Sequence, residues 1–520
     1  MSALTILVET AVKASRPRRG RMRVLSNRTL RPSIFNFFSF NYNDNCPGTA
    51  LLLAAPHPAG LDSAGHRGQL LIQNKFFHPD YSEDFRCIGS ACEDSCCADW
   101  TVHVDQSAFE KYQKLPAGPL RAIIDENILR TPQQPQADGS SAAATFAQIR
   151  MNSSHKCPLL SASGLCRIQL EYGEELLPRT CANYPRATYC IDGTTETALS
   201  LSCPEAARLV LLNPRLLAGR EQDAEARKST TSSNACDPLL PSFWSIRNFA
   251  LTLVQNRDYP LWQRLFLLDL LSRRFDAIAP GERPERVPRL LAGFKSTVDL
   301  GKLQATMNAL PADHTRQLDL VLLLAGMMLH SSYVRPRFVE CVQAFTQGIG
   351  NGPGATLESL AARYAAAHDR FYAPFFQKHP YLLENYLMNL IFRCRFPFGR
   401  DWAQTGATPS MTRESSLLTA QFALMKGLLI GVAGFHREAF SAAQVVHTVQ
   451  TASKHFEHHT EFLNRAHALL VEKRMDGQLE LAILLRNSQS QPSAQSLPLI
   501  HLPAPAEGAP VLPVPCPLPN

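Results

Sequence analysis

From about residue 240 to residue 487, apolar positions recur every three or four residues, as in "PLWQRLFLLDLLSRRF", "TRQLDLVLLLAGMMLHSSYV", "HPYLLENYLMNLIFRCRF" and "TEFLNRAHALLVEKRM". That spacing lines one face of a 3.6-residue helix and predicts an all-α helical domain over 240–487. No alternating strand period appears in it. Residues 76–215 have a different texture, with short apolar runs between polar loops. Helices are expected there from Gln106, after the capping Asp105, and in "SLSCPEAARLVLL", where Ser202 and Glu205 stand at capping-box spacing. "PQQPQADGSSAAA", residues 132–144, reads as a loop insertion. Neither end carries a period. Residues 1–75 mix Asn, Pro, Gly and Arg and read as an irregular basic extension. Residues 488–520 hold nine prolines and one charged residue, Glu507, and read as a Pro-rich disordered tail.

Composition narrows the function classes. The 520 residues are 45% apolar and 19% charged, enough for two or three domains with buried cores. The net charge of +7 suggests nucleic acid until its location is considered. Residues 1–40 hold eight Lys or Arg and a single acid, Glu9, so that segment alone carries +7 and the rest sums to neutral. A neutral body with no clustered basic face argues against nucleic acid as ligand. The opening "MSALTILVETAVKASRPRRGRMR" places its apolar stretch before its arginines, the reverse of a secretory signal, so a cytoplasmic location is expected. No membrane span is expected, because the longest apolar run, Leu320 to Leu329, falls short of the roughly 20 residues a span requires.

Nine of the fourteen cysteines fall between residues 80 and 210. "FRCIGSACEDSCCADW" holds Cys87, Cys92, Cys96 and Cys97; Cys157, Cys166, Cys181, Cys190 and Cys203 follow. Disulfides suit exported proteins, and no export signal is visible. Simple packing suits thiols with apolar flanks, whereas these are flanked by Ser90, Glu93, Asp94, Ser95 and Asp99. Soft thiolates a few residues apart can converge on one metal ion or cluster, which is the favoured reading. Paired C-x-x-C knuckles, the usual zinc pattern, are absent, so the irregular spacing leans towards iron-sulfur ligation without deciding against zinc. Cys203, followed by Pro204 at a helix start, is expected to have its thiolate favoured by the helix dipole. Cys46, Cys236, Cys341, Cys394 and Cys516 stand alone and read as packing or bystander residues. The expected fold class is thus mainly α: a cysteine-rich metal- or cluster-binding N-terminal domain, residues 76–215, packed on the all-α helical C-terminal domain, with disordered ends.

Three strings, "FRCIGSACEDSCCADWTVHVD", "CPLLSASGLCRIQLEYGEELLPRTCANYPR" and "ETALSLSCPEAARLVLL", resemble the flagellin lysine-N-methylase family in order and spacing. The resemblance extends more weakly through "HPYLLENYLMNLIFRCRFPFG" and "FEHHTEFLNRA", and covers roughly residues 76–487. A shorter echo, "GLC" followed by "TCANYPR", is similar to small cysteine-rich proteins described as zinc- or iron-chelating. The family resemblance implies S-adenosylmethionine-dependent methyl transfer to the ε-amine of flagellin lysines, with an iron-sulfur cluster, 4Fe-4S in type, held by shared cysteines. Carried over by position, the implied ligand pool is Cys87, Cys92, Cys96, Cys97, Cys157, Cys166, Cys181 and Cys203. A cubane needs four of these, and spacing does not select them.

The residues limit the mechanism. The C-x-x-x-C-x-x-C triplet of radical S-adenosylmethionine enzymes is missing, because the position after Cys92 and Cys96 that would complete it is Asp99. "GIGNGPGATLESL" alternates glycines without a preceding strand and reads as a loop capping the next helix. A lysine amine of ordinary pKa about 10.4 must lose its proton before it can attack a methyl group. Asp94 and Glu93, and Tyr184 beside Cys181, are the candidates for that step, while Arg186 could bind the cofactor's methionyl carboxylate or pair with a local acid. His455 and His459 stand one helical turn apart, and an exposed polar helix explains them more simply than a metal. The competing reading is a non-enzymatic zinc- or iron-binding module on a helical protein-interaction domain.

Overall fold

A helix that is apolar on every side cannot lie at a water-facing surface. Met411–His436 is such a helix, 26 residues long, and the fold is built around it. The computed structural model describes residues 75–487 except 78, 99, 132–145, 192–193, 218–220, 224–239, 331–334, 400–401, 403–408 and 458–459. The basic extension, the loop insertion and the Pro-rich tail expected from the sequence lie outside these, apart from Lys75.

The amino-terminal part runs β1 (Lys75–Phe77), β2 (His103–Val104), α1 (Gln106–Gln113), α2 (Pro119–Asn127), β3 (Ile128–Arg130), β4 (Ala147–Ile149), α3 (Arg167–Tyr172), α4 (Arg179–Asn183), β5 (Arg186–Ile191), β6 (Thr194–Leu199), α5 (Pro204–Leu211) and β7 (Glu221–Asp223). Helices follow: α6 (Leu240–Gln255), α7 (Leu261–Asp276), α8 (Arg283–Asp299), α9 (Gln304–Ala309), α10 (His314–Leu329), α11 (Pro336–Gly348), α12 (Leu357–Ala367), α13 (Ala373–Lys378), α14 (Tyr381–Arg393), α15 (Met411–His436), α16 (Ala442–Phe456), α17 (Thr460–Glu472) and α18 (Gln478–Leu485). The all-α expectation for 240–487 holds. The strands form small antiparallel sheets, β2-β4-β3, β5-β6 and β1-β7.

Helix α15 packs against α7, α10, α11, α12, α14, α16, α17 and α18. It is long and apolar enough to cross a bilayer by composition, yet 94% of its apolar window is buried inside the protein. Glycines set the closest approach. A Cβ on Gly348, at the end of α11, would stand 1.8 Å from the Gly431 carbonyl oxygen of α15, and one on Gly431 would stand 2.3 Å from the Phe345 ring. Only glycine permits that contact. The "GNGPGATLESL" loop behaves as read: Thr356 and Ser359 form a capping box at the start of α12.

The apolar core divides at a different place from the expected 76–215 boundary. A small core joins Val102, Val104, Tyr112, Ile124, Ile149, Leu159 and Ile168. The hairpin β5-β6 and helix α5 instead pack into the helical core, with Tyr189, Ile191, Leu199, Val210 and Leu211 buried beside the residues of α6 and α14. Polar side chains fix that junction. Arg247 of α6 donates to Glu196 at 2.8 Å, and Tyr189 donates to Glu196 at 2.7 Å and to the Phe392 carbonyl at 2.6 Å. From α14, the Asn389 amide brackets Leu199, donating to its carbonyl at 2.9 Å and accepting from its N–H at 3.3 Å. Polar groups paired across the junction in this way favour one docking geometry.

Candidate metal centre

Each cysteine segment is placed by its own local structure. Asp105 caps α1 as expected, accepting from the Ala108 N–H at 3.1 Å, and its second oxygen accepts from the Arg179 N–H at 2.9 Å. One carboxylate thereby holds α4, and with it Cys181, beside the first cysteine loop. The Cys157 N–H donates to the Cys97 carbonyl at 2.8 Å, and Ala98 bridges Lys156, which pins the first and second cysteine segments together. Cys166 is the residue just before α3, and Cys203 the residue just before α5. The Ser202–Glu205 capping box does not form. Helix α5 starts one residue later than that spacing requires, Ser202 bonds to Ser200 and Tyr184, and Glu205 pairs with Arg208.

The thiols gather around Cys96. Cys92, Cys157, Cys181 and Cys203 all lie within electrostatic reach of it, and Cys97 is hydrogen-bonded to it. Cys166 sits within the same reach of Cys157 and Cys181. Cys87 is exposed on the preceding turn, its sulfur accepting from the Gly89 N–H at 3.4 Å. Among the described residues none of the cysteines is disulfide-bonded, and no three His, Cys, Asp or Glu side chains stand in finished ligand geometry. Five sulfurs about Cys96, with Cys166 beside two of them, are donors of the kind a thiolate-bound centre uses.

Burial disfavours the thiolate at several of these sulfurs. Burial pushes Cys157 up to about 11 and Cys203 up to about 12, and raises Cys92 and Cys181 as well. Cys96 rises through its hydrogen bond to Cys97 and then through the protein packed around its sulfur. At Cys203 the N–H groups of Glu205 and Ala206 at the helix start do favour the thiolate, but desolvation outweighs them, which corrects the expectation of a depressed pKa. Only a bound cation can hold several of these sulfurs as thiolates near neutral pH.

The other candidates are fully engaged. Asp94 accepts from Gln450 at 2.7 Å and from the Lys454 ammonium, both on α16, with Arg337 of α11 4.0 Å away. Its partner is a fixed cation rather than solvent, so Asp94 is an ion-paired anchor and not a loop acid. Glu93 pairs with Arg208. The Tyr184 hydroxyl meets Ser202 at 3.0 Å, its ring lies 5.5 Å from that of Trp100, and burial raises its phenol pKa well above the ordinary value. From Tyr184 a hydroxyl chain runs through Ser202 and Ser200 to Glu457, which Arg393 holds at 3.1 Å. Arg186 donates to the Phe85 carbonyl at 3.1 Å and covers the Phe85 ring. His455 is buried against Phe338, ring centroids 4.4 Å apart, instead of lying on an exposed polar helix. His458 and His459 lie outside the described residues.

Gln450, Lys454 and Glu457 went unnoticed in the sequence. Their signal is a polar stripe, spaced four and three residues apart, on the helix face that elsewhere carries Val446 and Val449.

A family model, the FliB lysine N-methylase C-terminal domain, matches residues 247–484. Over 152 residues the chain is 31% identical to the flagellar biosynthetic protein FliU of Salmonella muenchen, covering 85% of that protein and 29% of this chain. The chain belongs to the FliB lysine N-methylase family. Two further members, each named lysine-N-methylase, from Salmonella typhimurium and Salmonella choleraesuis, are 24% identical over 424 residues, covering 98% of each relative and 78% of this chain. No solved structure matches at a significant level.

Proposed function

We propose that this chain is a cytoplasmic protein-lysine N-methyltransferase that methylates lysine ε-amines of flagellin, with S-adenosylmethionine as methyl donor and an iron-sulfur cluster held by the cysteines around Cys96. The observation that carries the reading is alignment along 98% of a relative named lysine-N-methylase. The flagellin substrate is supported by the flagellar biosynthetic name of the FliU relative. The ligands are drawn from Cys92, Cys96, Cys97, Cys157, Cys166, Cys181 and Cys203, with Cys87 the outlying member. When bound, such a cluster supplies an electron store or a Lewis-acidic iron beside the reacting groups.

The chain's own residues can bind and orient around that region. Cys96 is exposed as a residue while Cys157 and Cys203 are buried, so the loop that bears it lies at the surface, where a peptide can approach it. A lysine amine entering from water as an ammonium must be made neutral before methyl transfer. Partial burial against the half-buried Trp100 would disfavour its charge. The Tyr184–Ser202–Ser200–Glu457 chain gives the released proton a hydrogen-bonded path.

The test is direct. Full-length protein purified without oxygen is incubated with labelled S-adenosylmethionine and flagellin, and modified lysines are located by mass spectrometry. Label on lysine that is lost in Cys96→Ser together with iron supports the reading. Iron-loaded protein that leaves flagellin lysines unlabelled overturns it in favour of a metal-binding interaction module.

A further inference from the structure

The first cysteine loop is fastened to the helical body by one side chain that carries a charge where charges rarely sit. Lys454, on α16, is only 4% exposed at its side chain, and its partner Asp94 is 13% exposed. Its ammonium donates to Asp94 and to the Ser95 carbonyl at 3.3 Å, which is the residue before Cys96. Gln450, one turn earlier on the same helix, takes the other Asp94 oxygen at 2.7 Å and donates also to the Ser202 carbonyl at 2.9 Å, the residue before Cys203. Two side chains of α16 thus reach both the first loop and the last cysteine segment. The Lys454 carbonyl is itself held by Arg335 at 2.6 Å, so the helix turn bearing the ammonium is fixed from the far side.

Burying an ammonium is costly unless nearby negative charge repays its desolvation. One carboxylate, itself also in contact with Gln450 and near Arg337, supplies part of that. A set of thiolates around an inorganic centre supplies more, because a four-thiolate cubane carries net negative charge. The Lys454 ammonium bonds the carbonyl just before Cys96, and the Cys92 sulfhydryl donates to the Asp94 carbonyl at 3.4 Å, so both charges stand at the loop that bears these thiols.

We propose that Lys454 is a positioning residue and fixed countercharge for the cysteine-bound centre: with Asp94 and Gln450 it holds the Cys92–Cys97 loop in place, and its charge tunes the centre's reduction potential. The inference rests on the cluster reading proposed above. Removing a neighbouring positive charge disfavours the more negative reduced form, so the midpoint potential falls; removing a neighbouring negative charge raises it.

The experiment uses full-length protein purified without oxygen, wild type beside Lys454→Met, Lys454→Arg and Asp94→Asn. Iron and sulfide per chain, a visible-absorbance redox titration and the circular dichroism of each are measured. The expected result is a lower midpoint with reduced iron retention in Lys454→Met, a higher midpoint in Asp94→Asn, and wild-type values restored in Lys454→Arg. A loop that is merely loosened would lose iron in both variants without moving the potential in opposite directions. Should Lys454→Met fail to fold, the sign of the Asp94→Asn shift decides alone: an upward shift supports the inference and an unchanged midpoint overturns it. Wild-type protein free of iron and sulfide sinks the cluster reading and this inference together, whereas iron-loaded protein with unshifted midpoints in every variant sinks only the countercharge.

Discussion

At the scale of single residues, the thiols and the buried basic groups make the sharpest demands. The raised pKa values of Cys157 and Cys203 mean that a metal must displace protons to bind. Loading is therefore expected to strengthen as pH rises from 6 to 8 in a chelator competition, with proton release detectable by calorimetry; a flat profile would contradict thiol ligation. Two buried bases away from the centre shape stability instead. Burial lowers His368 from 6.5 to about 4 and Lys426 from 10.5 to about 7. Between each pair of values the unfolded chain holds a proton that the folded chain has lost, so stability rises with pH across both windows and the penalty is complete below the lower value. Lys426→Met is expected to flatten the rise between pH 7 and 10.5 in urea titrations and to narrow the acid window of His368, whose pKa the Lys426 charge also lowers. The pair Arg247–Glu196, 3% and 2% exposed, gives a third expectation. Arg247→Met leaves Glu196 buried without its cation and should cost about 3–5 kcal/mol of unfolding free energy.

At the scale of elements, what the sequence displayed and what it hid follow from the range of the interactions involved. Helices α7, α10, α14 and α17 were legible because their apolar period is a local property. The Asp105 cap was legible for the same reason, and so was the capped start of α12. The failed box at Ser202 shows the limit: its hydroxyl was claimed by Tyr184 and Ser200, partners brought by the fold. Gln450 and Lys454 were hidden because their significance depends on Asp94, more than 350 positions away in the chain. The cysteine cluster was visible as a composition, while its hub, Cys96, emerged only once the Cys97–Cys157 backbone bond was seen. The glycine contact between α11 and α15 was likewise invisible to periodicity. Gly431→Ala would place its Cβ 2.7 Å from the Phe345 carbonyl oxygen, and is expected to destabilise by about 1–3 kcal/mol in denaturant titrations. Gly352, with nothing near its missing Cβ, is the control, and Gly352→Ala should be close to neutral.

At the scale of the whole molecule, the hairpin β5-β6 and helix α5 belong to the helical core although they precede residue 240 in the chain. The family model begins at residue 247, inside α6, after those elements have been laid down. A fragment cut at that line would keep α14 but lose the strand that Asn389 and the Phe392 carbonyl were built to meet, leaving a bare apolar slot lined by orphaned amide and carbonyl groups. Such a piece, residues 247–487 expressed alone, should bind hydrophobic dyes and precipitate. The unit inherited together is thus larger than the segment most easily recognised, and the thiol-bearing half is as much the keystone of the helices as their passenger.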